Sequence, residues 1–510
     1  MARTASTELQ RQQTLIRALQ EPACYPHPVE RVEQLETHIS TILLAGDYAY
    51  KLKKPLHLDF LDYSTLERRH RFCQLELDLN RRRAPTLYLD CLPITGDLEA
   101  PRVGGEGPVL EYAVQMRRFP EACRLDHQLD AGTLDGDAME RLGQDLAALH
   151  AAATPATAGH PLALASAQAT PITDNVAQLV HMVADDARVA ALQSWIGQQV
   201  EQLRPLLEQR VASGRIRDCH GDLHLANLVW LDGRFQPFDG IEFDESLRWI
   251  DVLNDLAFLL MDLDARGHSR LGARLLNAWL DSSGDHSGIP LLRLYQGYRA
   301  LVRAKINAIR LGQVAKGSDA ARQARTELDR YLALADDYTR TQRGRLWVMG
   351  GLSGSGKSTH ARQLLEATQA IRLRSDVERK RLFGLDSSAR TGAAPGQGIY
   401  SAAAGRRTYR HLRETARLLL NAGWPVIVDA ACLKRAERDS FRHLAEEAGV
   451  PFELRWCHAD PDELRRRVSR RLARGRDPSE ADQSVLERQL ASHEPPSADE
   501  PGVRIINTGG

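Results

Sequence analysis

Neither sign of charge is in excess in this 510-residue chain, which has 67 lysine and arginine residues against 67 aspartate and glutamate residues. A balanced charge argues against general binding to nucleic acid or to anionic membranes, because both are electrostatic interactions. The sequence has no apolar run long enough to span a bilayer. Its polar N-terminus lacks the apolar core of a signal peptide. We therefore expect a cytoplasmic protein with no membrane partner, and nucleic acid is not the expected partner.

Paired cysteine motifs are also missing. The seven cysteines are scattered along the chain, and no two of them stand in CxxC spacing. An odd number without paired spacing indicates reduced thiols rather than a disulfide framework or a zinc site.

The order of the sequence patterns predicts an α+β domain of two lobes, followed by an α/β domain with a parallel sheet. Strand-like and helical patterns mix in residues 1–118, and helical spacing dominates residues 124–341. Beyond a boundary near residue 342, short apolar strands alternate with helices, which is typical of a parallel sheet covered on both faces. The predicted domains are therefore 1–341 and 342–510.

The first chemical motif is HGDLHLAN at residues 220–227, in which Asp222 precedes Asn227 by five positions. Transfer of a phosphoryl group to an alcohol needs a carboxylate that orients the hydroxyl, together with oxygen ligands for magnesium. The next residues predict a hairpin with an Asp232-Gly233 turn, which returns the chain to the loop and delivers Asp239 as a second metal ligand. The alternative is a surface loop that uses these polar residues only for turns.

A lysine that grips the nucleotide phosphates is expected on an upstream strand. Lys51 in AYK matches the kinase strand pattern, and Lys53 on the same strand face is the alternative. Glu76, on the following helix, is the predicted ion-pair partner, unless it is an exposed helix glutamate. The sequence has no GxGxxG loop ahead of Lys51, so it does not predict how the phosphates are covered.

This motif resembles that of the aminoglycoside phosphotransferase family, which includes choline-kinase-like enzymes and has a protein-kinase-like fold. The resemblance implies that Asp222 is the catalytic base and that Asn227 and Asp239 are magnesium ligands. It also implies that His220 braces the loop and that Asp255 holds the loop backbone.

The second motif, GLSGSGKS at residues 351–358, matches the pattern GxxxxGK[ST] and lies between an apolar strand and a helix. Such a loop turns backbone N–H groups towards phosphates at the positive end of a helix dipole. Lys357 would reach the β- and γ-phosphates, and Ser358 would ligate magnesium. The alternative is a glycine-rich turn that binds no nucleotide. The predicted nucleotide-binding residues are Gly351, Ser353, Gly354, Ser355, Gly356, Lys357, Ser358 and Thr359.

Two carboxylates follow predicted strands of the second domain. Asp429 closes VIVD and is a candidate to hold magnesium or its water. Asp376 closes IRLRSD at the carboxyl edge of the sheet, where it could orient or deprotonate an acceptor hydroxyl. The alternative for both is a helix N-cap or a loop acid.

Residues 465–476 are dense in arginine. In small kinases a segment of this kind closes over the phosphates and offsets the charge of the transition state. Arg467 and Arg471 are the predicted catalytic arginines, and Arg379 is a candidate for binding an anionic substrate. The alternative is a solvated basic helix or a nucleic-acid patch.

The second half resembles the P-loop kinase superfamily that includes gluconate-kinase-like, chloramphenicol-phosphotransferase-like and zeta-toxin-like proteins, notably at SDVER (residues 375–379). The whole chain resembles bacterial fusions of the two domain types. The resemblance implies an ATP- and Mg²⁺-dependent phosphotransferase acting on a hydroxyl of a small molecule that the sequence does not identify.

Other interpretations stay open. One domain could regulate the other as an ATP sensor, the chain could be an ATPase module without an acceptor, or the second domain could phosphorylate a nucleotide sugar as toxins do. The oligomeric state is not predicted.

Overall fold

The computed structural model describes residues 2–58, 61–183, 186–340, 344–387, 389–391, 397–474 and 479–509. The predicted boundary at residue 342 lies outside the described residues, as do residues 475 and 476 at the end of the predicted basic segment. Across the described part of the chain, no helix combines the length and the apolar character that a bilayer crossing requires.

The N-terminal elements build an antiparallel sheet with the strand order β1-β2-β3-β8-β6-β7. Strands β2 and β3 form a hairpin, and Gly46 at their turn has a φ of 56°, which glycine adopts without a steric penalty. The elements in chain order are α1 (Ala2–Ala18), β1 (Val32–Glu36), β2 (Ser40–Ala45), β3 (Tyr48–Lys53), β4 (His57–Leu58), β5 (Leu61–Asp62), α2 (Leu66–Arg81), β6 (Tyr88–Asp97), β7 (Ala100–Val103) and β8 (Val109–Arg117).

Helices dominate the next part of the chain, as predicted. The predicted hairpin is present, since β10 and β11 pair antiparallel around Asp232 and Gly233, which both have positive φ. The elements are α3 (Leu125–Asp130), α4 (Gly136–Ala152), α5 (Ala165–Met182), α6 (Ala187–Ala212), β9 (Ile216–Asp218), β10 (Leu228–Leu231), β11 (Arg234–Pro237), α7 (Glu245–Arg248), β12 (Trp249–Asp251), α8 (Val252–Ala265), α9 (Ser269–Ser283), α10 (Leu292–Gln313) and α11 (Asp319–Thr339).

The C-terminal strands form a parallel sheet in the order β14-β15-β13-β16-β17, which confirms the predicted fold class. Strands β13 and β15 are buried along their whole length, as continuous apolar runs in parallel sheets are. The elements are β13 (Leu346–Gly350), α12 (Lys357–Thr368), β14 (Ile371–Arg374), α13 (Ser375–Leu382), α14 (Ala402–Asn421), β15 (Val426–Asp429), α15 (Arg435–Glu447), β16 (Phe452–His458), α16 (Pro461–Arg474), α17 (Gln483–Ser492) and β17 (Val503–Asn507).

The chain divides into two compact units. The first comprises Met1–Leu134, Ala153–Pro171 and Leu207–Leu259, and the second comprises Asp135–Ala152, Ile172–Leu206 and Leu260–Gly510. The parallel sheet therefore shares its unit with helices α9, α10 and α11.

Helix α9 covers the edge strand β14 inside the second unit. Asn277 Oδ1 accepts a hydrogen bond from the backbone N–H of Arg372 at 2.7 Å, and its Nδ2 donates to the carbonyl of Ala370 at 3.1 Å. The side-chain amide thus satisfies backbone groups that an exposed edge would leave without partners.

Candidate functional sites

The first site begins with a lysine pair on β3. Lys51 Nζ donates to Glu76 Oε1 at 2.8 Å, and Lys53 Nζ donates to Glu76 Oε2 at 2.6 Å. Glu76 on α2 is fully buried, so the alternative of an exposed glutamate does not hold. Both candidate lysines therefore meet the predicted partner.

The remaining partners of the two lysines differ. Lys51 also contacts Asp239 Oδ1, while Lys53 contacts Glu242 and lies 3.4 Å from the hydroxyl of Tyr63. The Asp239 side chain is 46% exposed, whereas the Glu242 side chain is 4% exposed. Lys51 thus reaches the open side of the site beside a predicted metal ligand, and Lys53 is enclosed.

The loop after β11 presents Asp239 in a left-handed backbone conformation, with a φ of 61°. Its N–H donates to the hydroxyl of Tyr88 at 2.9 Å, and the N–H of Gly240 donates to Asn80 Oδ1 at 2.9 Å. These bonds from β6 and the end of α2 fix the backbone around Asp239. Sequence reasoning did not identify Tyr88 or Asn80.

Asp255 at the start of α8 holds the loop of the HGDLHLAN motif. Its carboxylate accepts the backbone N–H groups of His220 at 3.2 Å and Gly221 at 2.9 Å. The ring of His220 contacts the carbonyl of Phe238 at 2.8 Å and the N–H of Asp222 at 3.3 Å. The expected supporting contacts of Asp255 and His220 are therefore confirmed.

Asp222 and Asn227 lie side by side, as the spacing predicted. Asn227 Nδ2 donates to the carbonyl and to Oδ2 of Asp222, at 3.0 Å in each case. His224 Nε2 lies 3.4 Å from the same carboxylate. The carboxylate is 37% exposed, so it can reach a bound alcohol.

Burial and ion pairing set the charges of this site. Burial alone would raise the pKa of Glu76, but Lys51 and Lys53 lower it to about 2. Burial would lower the pKa of Lys51, but Asp239 and Glu76 raise it well above its ordinary value. Burial lowers the pKa of His220, which makes it a neutral brace at pH 7.

The second site is built around the P-loop, residues 351–358. It follows β13 and leads into α12, as predicted. A Cβ at Gly351 would lie 2.3 Å from the carbonyl oxygen of Cys457, so this position requires glycine. Lys357 Nζ donates to the carbonyls of Gly351 at 2.8 Å and Leu352 at 2.7 Å, and burial lowers its pKa.

A cavity of about 580 Å³ opens in front of the P-loop. Ser353, Lys357 and Ser358 line it, together with Asp376 and Asp429. Both predicted carboxylates thus share one cavity with the P-loop. Its volume is in the range of small-molecule pockets.

The two carboxylates, Asp429 and Asp376, lie in different secondary-structure elements. Asp429 is the last residue of β15, and its Oδ2 is buried with no hydrogen-bond partner among the described residues. Asp376 does not extend β14, because that strand ends at Arg374 and α13 begins at Ser375. The N-cap of α13 is Arg374, and Asp376 lies inside the helix, so Asp376 is neither the N-cap nor the loop acid of the alternative interpretation.

The predicted arginines separate in the structure. Arg471 lines the cavity, whereas Arg467 donates to Glu463 Oε1 at 2.6 Å and to the carbonyl of Thr508 at 2.7 Å and does not line the cavity formed by the described residues. Arg379 also lines the cavity, with its guanidinium 5.1 Å from the ring centre of Tyr400. Only part of the predicted basic segment therefore faces the cavity.

Helix α17 contributes residues that sequence reasoning missed. Arg488 and Gln489 line the cavity, and Gln489 Oε1 accepts the backbone N–H of Ser353 at 2.8 Å. The contact joins residues 136 positions apart, so no local pattern could have identified it. The only available signal was one more arginine in an arginine-rich part of the chain, and that signal is generic.

The donor sets of both sites suit a magnesium-bound triphosphate. Magnesium prefers carboxylate, carbonyl and hydroxyl oxygens, which Asn227 and Asp239 offer in the first site and Ser358 and Asp429 in the second. A buried carboxylate oxygen without a partner, such as Asp429 Oδ2, is costly unless a cation or a donor compensates it. Lys51 in the first site and Lys357 in the second carry positive charge of the kind that phosphate binding requires.

Two family models match separate parts of the chain. The Phosphotransferase enzyme family matches residues 123–295, and the AAA domain family matches residues 346–496. The first match includes Asp222, Asn227 and Asp239, and the second includes the P-loop and Arg471. Lys51 and Glu76 lie ahead of the first match.

Relatives in mycobacteria share both parts. An uncharacterized protein of Mycobacterium tuberculosis (strain ATCC 25618 / H37Rv) is 33% identical over 441 residues, which cover 83% of this chain and 85% of that protein. An uncharacterized protein of Mycobacterium bovis (strain ATCC BAA-935 / AF2122/97) matches with the same identity and coverage.

Solved structures with similar parts include two kinases. A gluconokinase from Sinorhizobium meliloti 1021 is 23% identical, covers 33% of this chain and 84% of its own, and has a TM-score of 0.24. A choline/ethanolamine kinase family protein from Mesorhizobium loti is 12% identical, covers 64% of this chain and 98% of its own, and has a TM-score of 0.36.

Proposed function

Because the chain belongs to the family that joins an aminoglycoside phosphotransferase-like domain to a P-loop kinase-like domain, we propose that it is an ATP-dependent phosphotransferase with two nucleotide-binding sites. It transfers the γ-phosphate of Mg-ATP to a hydroxyl of a small molecule. The domain families themselves indicate a phosphotransferase or ATP-binding role; the hydroxyl acceptor and the division of labour between the sites belong to the proposal.

One observation carries the proposal for the first site. Lys51 contacts Asp239, and Asn227 donates to Asp222. The carbonyl of Asn227 also accepts the N–H of Phe238, the neighbour of Asp239, at 3.0 Å. A cation, two candidate metal ligands and a carboxylate therefore lie together in the first compact unit. These groups come from β3, from the loop after β11 and from the motif loop. A surface loop that used polar residues only for turns would not need this convergence.

The residues have distinct tasks in the proposed reaction. Lys51 binds the α- and β-phosphates, and Glu76 holds its ammonium in place. Asn227 and Asp239 hold Mg²⁺, which neutralises the charge on the phosphates. A carboxylate oxygen of Asp222 orients the acceptor hydroxyl and takes its proton, while Asn227 fixes the carboxylate. Positioning and charge neutralisation account for most of the expected acceleration.

The second site would work with a different set of groups. Backbone N–H groups of the P-loop and Lys357 bind the phosphates, and Ser358 and Asp429 hold Mg²⁺. Asp376 faces the same cavity and would serve the acceptor hydroxyl. Arg471 would offset charge that develops during transfer.

The test separates the two sites by single substitutions in the full chain. Asp222→Asn and Lys357→Ala are assayed for ATP turnover, and small molecules from a cell extract are screened by mass spectrometry for a gained phosphate. We expect each change to remove a different set of phosphorylated products. Unaltered products in both variants would contradict the proposal.

Matched controls are available on exposed positions. Asp232→Asn alters an aspartate in the turn of the same hairpin, where asparagine tolerates the positive φ, and Lys316→Ala removes an exposed lysine. Both should keep all products. Loss of every product in one of the two test variants alone would favour a regulatory role for the other domain. Phosphate release without any phosphorylated product would favour an ATPase module.

A further inference from the structure

Helix α13 presents two different faces to its surroundings. Asp376 and Arg379, three positions apart on one face, line the cavity of the second site. Glu378 and Arg381, also three positions apart, form an ion pair and are not among the described residues that line the cavity. One face of the helix therefore meets the cavity, and another is available to hold the helix in place.

The last turn of α9 holds the end of α13. Arg381 Nη2 donates to the carbonyl of Asp281 at 2.6 Å and to that of Leu280 at 3.2 Å. Both carbonyls belong to the last four residues of α9. Carbonyls at a helix C-terminus lack partners within the helix and carry partial negative charge, so they attract a guanidinium.

The same turn of α9 also reaches the start of α13. The carboxylate of Asp281 lies 3.5 Å from Nη1 of Arg374, the N-cap of α13, and 3.4 Å from Nη2 of Arg372 on β14. Arg374 lines the cavity as well. Asp281 therefore contacts both ends of α13, the start through its carboxylate and the end through its carbonyl.

A glycine at the end of α9 leaves the room that Arg381 needs. Gly284 is the C-cap of α9 and has a φ of 69°. A Cβ at this position would lie 2.5 Å from Nε of Arg381 and 2.8 Å from its Cδ. The contact between the two helices therefore depends on a specific residue from each side.

The ion-pair partner of Arg381 is a buried carboxylate. Glu378 is 1% exposed, and it also bonds to His411 of α14 at 2.9 Å. Burial would raise the pKa of Glu378, but His411, His286 and Arg381 lower it to about 2. The carboxylate is therefore ionised at pH 7, and it holds the guanidinium of Arg381 against α9.

We propose that α9 completes the second site, because Arg381 anchors α13 to α9 and thereby positions Asp376 and Arg379 at the cavity. Helix α9 lies in the segment that the Phosphotransferase enzyme family matches, whereas α13 lies in the segment that the AAA domain family matches. The first segment thus supports a site that the second segment carries. The effect on turnover rests on the proposed function of the second site, whereas the anchoring of α13 does not.

The test compares two glycines of the full chain in the Asp222→Asn background, where only the second site should work. Gly284→Ala places a Cβ against Arg381, whereas Gly267→Ala imposes a similar positive φ, 79°, at a position where a Cβ would meet no atom within 4 Å. The rate at which phosphorylated products form in a cell extract is measured at several concentrations of Mg-ATP.

We expect Gly284→Ala to lower the maximal rate by about tenfold, since a misplacement of about 1 Å in a positioning group costs up to about a hundredfold. The KM for Mg-ATP should change by less than about twofold, because the P-loop keeps its place. Equal rates in the two glycine variants would overturn the proposal. A KM for Mg-ATP that rises as much as the rate falls would also overturn it, since that result indicates a general loss of structure.

Substitutions of Arg381 test the anchor from its other side. Arg381→Ala should lower the rate as Gly284→Ala does, and Arg381→Lys, which keeps a donor and a positive charge, should restore part of it. Arg406→Ala, which removes an exposed arginine from α14, should behave as the background does. Equal rates in Arg381→Ala and Arg406→Ala would contradict the anchoring role.

Hydrogen exchange keeps one arm of the test independent of turnover. In Arg381→Ala, the amides of α13 should exchange at least about tenfold faster while those of β13 keep their rates, because the lost bonds to charged groups affect only the local opening of α13. Unchanged exchange of α13 would overturn the proposal. If the background forms no phosphorylated product, the proposed function of the second site fails instead, and the exchange rates still decide whether α9 anchors α13.

Discussion

In the first site the charged side chains neutralise one another, whereas in the second site several buried polar atoms have no partner among the described residues. Glu76 bridges Lys51 and Lys53, which also contact Asp239 and Glu242. In the cavity of the second site, Asp429 Oδ2, Arg379 Nε and Arg471 Nε lack such partners.

This difference indicates that the two candidate phosphate sites are organised in two different ways. In the first site, a buried ion-pair network holds Lys51 in place, and this network is stable only while each buried charge keeps a partner. In the second, the P-loop backbone supplies the geometry, and the side chains around the cavity retain capacity to bind a ligand. We therefore expect substitutions in the first site mainly to lower the stability of the fold, and substitutions in the second site mainly to lower the rate of ATP turnover.

The largest expected effect comes from Glu76→Gln. Both lysines lose a buried counter-charge, but Lys51 keeps Asp239 and Lys53 keeps Glu242. We therefore expect the local opening free energy to fall by about 3 kcal/mol, the lower end of the range for breaking a buried ion pair. Hydrogen exchange of the α2 and β3 amides measures this local opening free energy. The control Glu67→Gln, an exposed position on the same helix, should change it by less than about 0.5 kcal/mol. Equal effects of the two variants would refute the network.

The second prediction concerns the arginines of α16. In an Asp222→Asn background, where only the second site should work, Arg471→Ala is expected to lower kcat by at least about a hundredfold, since arginines at transferring phosphates contribute ~10³ or more. Arg467→Ala should leave kcat within about threefold, because Arg467 is bonded to Glu463 and Thr508. A larger loss in Arg467→Ala than in Arg471→Ala would reverse the assignment.

The third prediction tests the edge of the parallel sheet. Asn277→Ala leaves the N–H of Arg372 and the carbonyl of Ala370 without their side-chain partners. We expect the opening free energy that hydrogen exchange measures for the β14 amides to fall by about 2 kcal/mol. Asn421→Ala, at an exposed helix end, should have no effect on β14. Unchanged protection in Asn277→Ala would show that α9 does not stabilise this edge.

The smallest predicted effect is the pH dependence of the first network. The pKa of Glu76 is about 2 in the folded chain, against an ordinary value of 4.5. A carboxylate with a depressed pKa contributes stability that is complete above its unfolded pKa and is lost as pH falls towards its folded pKa. The stability difference between the unaltered chain and Glu76→Gln should therefore shrink by about 1 kcal/mol between pH 5 and pH 3.5. A difference that stays constant or grows over this range would contradict the ionised bridge.

Local patterns predicted much of both sites. The Asp232-Gly233 pair marked a turn whose residues both need positive φ, and the structure has this hairpin. The P-loop lies between β13 and α12 as predicted, because an apolar strand followed by glycines and a helix is a continuous local signal. Asp222 and Asn227 also meet as their spacing indicated.

Contacts between distant residues were beyond these patterns. Lys53 and Glu242 are 189 positions apart, and Arg372 and Asn277 are 95 apart. The sequence could not separate Arg467 from Arg471 either, since both lie on one basic helix. Which arginine faces the cavity depends on how α16 packs, and that depends on neighbours from other parts of the chain.

The sequence by itself determined where the two candidate phosphate motifs lie and the order of the elements that present them. These depend on local requirements: positive φ at turns, period-specific apolar patterns and backbone N–H groups at a helix start. Only the tertiary structure decided which charges are paired, which arginine lines a cavity and which helix covers β14. Such choices are set by burial, because the free energy of a charged or polar group depends on the partners that the folded chain brings to it.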